Sequence, residues 1–223
     1  MSLKFSVGQL CGFLFLFILF TSILSKATAG TPLDPDNVSE SFQNTLGSSM
    51  KFRISIILDL ISHVSIIALA GALYLAFSKY NQPLASIGTL WRVAEGTIIA
   101  FSEISGLIFL AVAQQYVSTL GSDKFALESL GRVLILAEDW GLKIGLIFLG
   151  VGSLFYAILF VTSGTVPQIL GWWGIISSTL AVGGILLSLI NPNIKMVGIL
   201  FMIPYEIVLG IWLLFKGGQI GTL

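Results

Sequence analysis

The sequence predicts an all-α fold, a polytopic transmembrane helix bundle with six spans, or seven if one long segment crosses twice. Two observations carry this. Of the 223 residues 56% are hydrophobic and only 10% charged, with a mean hydropathy of +0.98, against about 25% charged in a soluble domain. The apolar residues also fall into runs near the ~20 residues that a helix needs to cross a bilayer, separated by Gly, Pro, Asn and Lys turns. The chain reads as a single transmembrane domain, 1–223. The expected partner of such a surface is the lipid bilayer of the cell membrane.

The expected spans are about 7–24, 52–77, 84–115, 141–162, 169–190 and 196–215. The first follows Lys4 and ends at Ser25-Lys26. A secretory signal ending at Ala27-Thr28-Ala29 is the alternative, and a retained helix is the expectation. Gly8 and Gly12 give it a GxxxG pair. Residues 25–50 form the one long polar stretch, an extramembrane loop with Asp34, Asp36 and Glu40, in which 39–49 is expected to form a short surface helix.

The second span carries Arg53, Asp59 and His63, the last two being i,i+4 neighbours. Pro83 then sits at a first helical position. The third span holds Arg92, Glu95 and Glu103 on one stripe, since Glu95 is i+3 from Arg92 and Glu103 lies three turns beyond it. That stripe cannot face lipid, so other helices must close around it.

The fourth segment, 125–163, is roughly 58 Å long as a helix, about twice the bilayer core. It either projects into water or breaks near Gly141, with Lys143 to Val161 as the crossing part. Glu128–Arg132 and Asp139–Lys143 are favourable i,i+4 pairs. The fifth span, 169–190, has no ionisable group, and Asn191-Pro192-Asn193 turns the chain. The sixth, from Lys195 to Lys216, carries Glu206 two residues after Pro204, which removes a backbone donor. No repeat of 20 to 50 residues is evident, which gives an inverted-repeat transporter no support.

Alternating spans put both termini on one side, here called side A, with Lys4, Lys79 and Lys216. Side B holds the long acidic loop with Lys26, Lys51, Lys124 and Lys195. The basic count nearly ties, and the acidic loop makes side A, with both termini, the expected cytoplasmic face.

Depths from span centres put Glu206 near the midplane and His63 and Glu103 roughly 5 Å toward side B. Asp59 falls about 10 Å toward side B, and Arg92 and Glu95 roughly 7–12 Å toward side A. The expected contacts are Glu103 with His63, Asp59 with Arg53 or Lys143, and Glu206 with Arg92; Glu95 is the next partner for Arg92. Arg53, Lys143 and Asp139 are expected in structural ion pairs.

These residues resemble the bacterial and archaeal membrane family catalogued as domain of unknown function 4386. The resemblance runs from about Gly12 to Gly218 and rests on Phe52-Arg53 with Asp59, and on Trp91-Arg92-Val93-Ala94-Glu95, where the family has Phe-Arg-x-x-Glu. It continues through Gly145-Leu146-Ile147-Phe148, Ser163-Gly164 with Pro167, and Glu206 with Trp212-Leu213-Leu214 and Lys216-Gly217. Glu138 to Lys143 departs from it, with charges where the family has a histidine and small residues. The resemblance implies a multi-helix membrane protein and assigns no activity.

With a net charge of zero nothing suggests nucleic acid as a partner, and one cysteine, Cys11, and one histidine, His63, exclude the common metal sites built within one chain. No cofactor is indicated. Three readings follow. Asp59, His63, Arg92, Glu95, Glu103 and Glu206 line a site for binding or permeation of a small molecule or ion. Alternatively they only fix helix register in an accessory or scaffold subunit, whose Gly8/Gly12 and Gly141/Gly145 faces dock a membrane-protein partner or a second copy. A minor alternative is an intramembrane hydrolase with Asp59, His63 and Ser55 or Ser62, although no nucleophile motif surrounds either serine, so no catalytic residue is assigned.

Overall fold

Among the described residues, six helices long and apolar enough to cross a membrane wind up and down, and their principal contacts run in sequence: α1 (Val7–Ala29), α3 (Ser49–Phe77), α4 (Gln82–Ser118), α5 (Asp123–Ser163), α6 (Gln168–Ile190) and α7 (Gly198–Lys216). α7 packs back on α1, so the order closes into a ring. A short helix, α2 (Val38–Gly47), lies outside this ring against α4 and α5. The architecture comes from a computed structural model that describes residues 6–191 and 198–220, among which there is no strand. Lys4, Pro192, Asn193 and Lys195 lie outside the described residues, as do the expectations resting on them.

Local chemistry sets the helix ends. Ser6 accepts from the Gln9 amide at 3.1 Å while Gln9 Oε1 accepts from the Ser6 amide at 3.1 Å, a reciprocal cap that starts α1. Asn81 caps α4 through the Leu84 amide at 3.2 Å, with Pro83 in the first turn. Gly164, at φ 65°, takes the left-handed conformation that ends α5. The Tyr80 hydroxyl donates to the Thr162 carbonyl and ties the two side-A turns together.

The side-A half of the ring is solid. All six membrane helices contribute to one core that includes Phe15, Leu73, Phe77, Tyr156, Phe160, Leu170 and Tyr205. Phe77 and Phe160 meet edge to face at 5.1 Å between centroids. Cys11 belongs to this core and is 1% exposed.

α5 does not break at Gly141. It is continuous over 41 residues, and α4 runs 37, roughly 60 and 55 Å. Both exceed a core of about 30 Å even at the steepest ordinary tilt, so the pair stands out of the bilayer on side B. α2 covers this projection. Its Val38, Phe42 and Thr45 are buried at i, i+4 and i+7, and Phe42 lies between Phe109 and Tyr116 at 4.8 and 5.1 Å. α2 spans 38–47, close to the short helix expected over 39–49.

Two expectations about packing need correction. Gly8 and Gly12 do not form a free docking face, because they meet Gly217, Leu214 and Gly210 at the C-terminal end of the chain. Gly141 and Gly145 face Ser102 and Ile99 of α4. Small residues let two backbones approach, and here both partners are helices of the same ring.

Reporter fusions test the winding. A fusion after Lys79 and one at the C-terminus should report the same compartment, and one at Asp36 the opposite one. Opposite results at Lys79 and the C-terminus would require a seventh crossing.

Candidate functional site

The six residues singled out from the sequence are brought into the ring as two separate groups. The deeper group is built on Arg92. Its Nη1 lies 3.1 Å from Glu95 Oε2 one turn along α4, and 3.9 Å from Glu206 Oε1 across the α4–α7 gap. It also donates to Ser153 Oγ on α5 at 3.3 Å. Gly152 makes room, since a β-carbon there would stand 2.9 Å from Arg92 Cγ. The Arg92 and Glu95 side chains are 3% and 2% exposed, and Glu206 13%. A void of about 10 Å³ lies beside them, bounded by Ser153, Tyr156 and Tyr205, about enough for one water molecule. Arg92 Nε has no partner among the described residues.

The second group lines a cavity of about 430 Å³ on the side-B half of the lumen. Asp59 and His63 of α3 and Glu103 of α4 reach it, as expected from their depths. So does Ser55, weighed above only as a candidate nucleophile, and so do Ser22 and Lys26 of α1, Ser102 of α4 and Glu138 of α5, which the sequence reading did not place at a site. Residues 29–33 line the cavity as well, between α1 and the α2 cap.

The expected pairings inside this group are different in the structure. Asp59 is bound neither to Arg53 nor to Lys143. It accepts from Ser25 Oγ at 2.6 Å and lies 3.7 Å from Lys26 Nζ, both on α1. Arg53 is exposed, because six residues turn a helix by about 240° and carry it off the face of Asp59. Lys143 is taken by Asp139 at 2.5 Å, the i,i+4 pair read from the sequence. Arg132 pairs with Asp36 at 3.2 Å rather than with Glu128, which accepts from the Tyr116 hydroxyl. His63 and Glu103 share the cavity without a hydrogen bond between them, and His63 Nδ1 is buried with no partner among the described residues.

No serine–histidine–aspartate relay is assembled among the described residues. Ser55 donates to the Phe52 carbonyl, Ser62 bonds Ser22 and the Ile18 carbonyl, and Asp59 is engaged by Ser25.

A signal for Glu138 does exist in the sequence. It precedes Gly141 and Gly145 by three and seven residues, so it shares the face that packs on α4. Lys26 had no comparable signal, because it lies beyond the expected span 7–24 and comes near Asp59 only through the last turn of α1.

A closed ring of apolar helices with charges only in its lumen and at its ends defines an integral, multi-pass membrane protein. The chain belongs to the family described as a domain of unknown function (DUF4386), whose model it matches over residues 10–217. No curated protein and no solved structure matches it.

The Arg92 group predicts an order of damage. Arg92→Leu strands two carboxylates and should cost the most, about 3–5 kcal/mol or more. Glu206→Leu should cost least, because Glu95 still neutralises Arg92. Arg92→Leu with Glu206→Leu should recover little, and adding Glu95→Leu should recover most of the loss. Thermal unfolding in detergent reads this series, and a Glu206→Leu variant weaker than Arg92→Leu would contradict the geometry.

Proposed function

We propose that the protein is a membrane-embedded binding module that takes a small polar ligand from side B into the lumen cavity. Asp59, His63, Glu103 and Glu138 are its polar contacts, and the lipid bilayer is its surroundings. The cavity of about 430 Å³ carries the reading, because it falls in the size range of small-molecule sites and combines an apolar wall with a few convergent polar groups.

Binding is favoured over permeation by what lies beneath. The Arg92 group and the side-A core fill the lumen below the cavity, and the two cavities share no lining residue. Arg92 then links α4 to Glu206 of α7 across the lumen. With the termini cytoplasmic, the ligand arrives from outside the cell membrane.

A second reading, an accessory subunit of a larger membrane complex or a homo-oligomer, has one observation in its favour. Phe125, Leu130 and Val133 are exposed on the half of α5 that stands beyond the bilayer. Recovery of a stoichiometric partner from mild detergent would favour that reading.

Water access decides the first. In Ser55→Cys, a small membrane-impermeant thiol reagent applied from side B should label the new cysteine rapidly. Cys11, sealed in the side-A core, should label slowly in the same protein. An unreactive cysteine at 55 would sink the binding reading.

A further inference from the structure

The lumen cavity holds more carboxylate than its own cations neutralise. Asp139 reaches it but is bound to Lys143. That leaves Asp59, Glu103 and Glu138 against a single nearby ammonium, Lys26. Glu103 and Glu138 make no ion pair with any described residue. Neither finds a hydrogen-bond donor among them. Unpaired carboxylates are costly within a membrane protein, and with Glu103 buried and Glu138 half-buried the arrangement calls for a cation.

Lys26 answers that call only in part. Its Nζ is 3.7 Å from Asp59, and its side chain is 70% exposed against 11% for Asp59. The ammonium sits at the mouth on a flexible stem, where it can be exchanged. Deeper in, His63 is 8% exposed, and its Nδ1 is without a partner. It is a buried polar atom on the cavity wall awaiting a hydrogen bond.

The rest of the wall is apolar, with Phe52, Ile56, Ile99 and Leu142 between the polar groups. No group of three or more His, Cys, Asp or Glu side chains among the described residues converges closely enough to hold a metal ion. Spread carboxylates with hydrocarbon between them suit a cation with its own hydrocarbon.

We propose that the ligand of this cavity is a small aliphatic amine. Its ammonium group pairs with Glu103 and Glu138, its stem lies along the apolar wall, and Lys26 is the resident counter-ion that it displaces from Asp59. The proposal rests on the binding reading above and names the class of ligand.

Charge-selective labelling of Ser55→Cys in the full-length protein tests it without knowledge of the natural ligand. Relative to a free thiol, cationic aminoethyl methanethiosulfonate should outpace anionic sulfonatoethyl methanethiosulfonate by ~10-fold or more, as an acidic cleft concentrates cations. Glu103→Gln with Glu138→Gln should collapse that preference. Diaminobutane should protect the cysteine, and butanediol and succinate should not. Lys26→Gln should lower the diamine concentration needed for protection by several-fold, because a competing ammonium is gone.

A normalised rate ratio near one would overturn the proposal, as would equal protection by butanediol or no protection by diaminobutane. Each of these leaves the binding reading intact, since the cysteine still labels. A cysteine that labels with neither reagent removes the binding reading itself. The ratio and the protection are both read with Glu103 and Glu138 in place, so a double variant that fails to fold does not spare the proposal.

Discussion

A guanidinium cannot be left facing lipid, and Arg92 imposes that constraint on the whole ring. Its charge is met on its own helix by Glu95 and across the lumen by Glu206, with Ser153 accepting from a third helix. Those contacts fix the rotation of α4, set the height of α7 and require α5 to come close. The α5 surface opposite α4 answers with Gly141, Gly145 and Gly152, where a side chain would collide with Ser102, Ile99 or Arg92 itself. The close approach of α4 and α5 is thus the packing counterpart of a charge placed between them.

Along the ring axis the lumen changes character in three tiers. Aromatic and aliphatic side chains from all six membrane helices fill side A. The Arg92 group follows, nearly dry and nearly sealed. Above it the wall turns polar and opens, and the α2 cap with its loop stands at the rim. The short helix α2 shapes the opening from outside the ring, since Phe42 pins it to α4 and α5 and so positions residues 29–33.

The sequence was most readable where a single residue breaks an otherwise apolar pattern. The six spans, the stripe of Arg92, Glu95 and Glu103, and the approach of Arg92 to Glu206 all follow from apolar runs and depth. Depth alone does not give azimuth. Asp59 and Arg53 lie at similar heights, yet a separation of six residues carries them to different faces. Lys26 gives no signal because the apolar run 7–24 ends short of it, whereas the helix itself continues to Ala29 and carries Lys26 in its last turn. The long fourth segment left a break at Gly141 open because glycine is a poor helix former. In the fold that glycine serves contact with Ser102, and the helix continues through it. Gly8 and Gly12 misled in the same way: a small-residue face announces a close neighbour without saying which chain supplies it.

The plugged lower lumen has an electrical consequence. Where water enters a membrane protein, the potential of the adjoining bulk enters with it. A water-filled cavity would carry the side-B potential inward to about the level of His63 and Ile99. The transmembrane voltage is left to fall across the shorter, filled part of the ring. Arg92, Glu95 and Glu206 stand inside that shortened dielectric. Displacing one elementary charge across the full drop is worth about 2.3 kcal/mol per 100 mV. The thin septum concentrates the field on the Arg92 group, between α4 and α7.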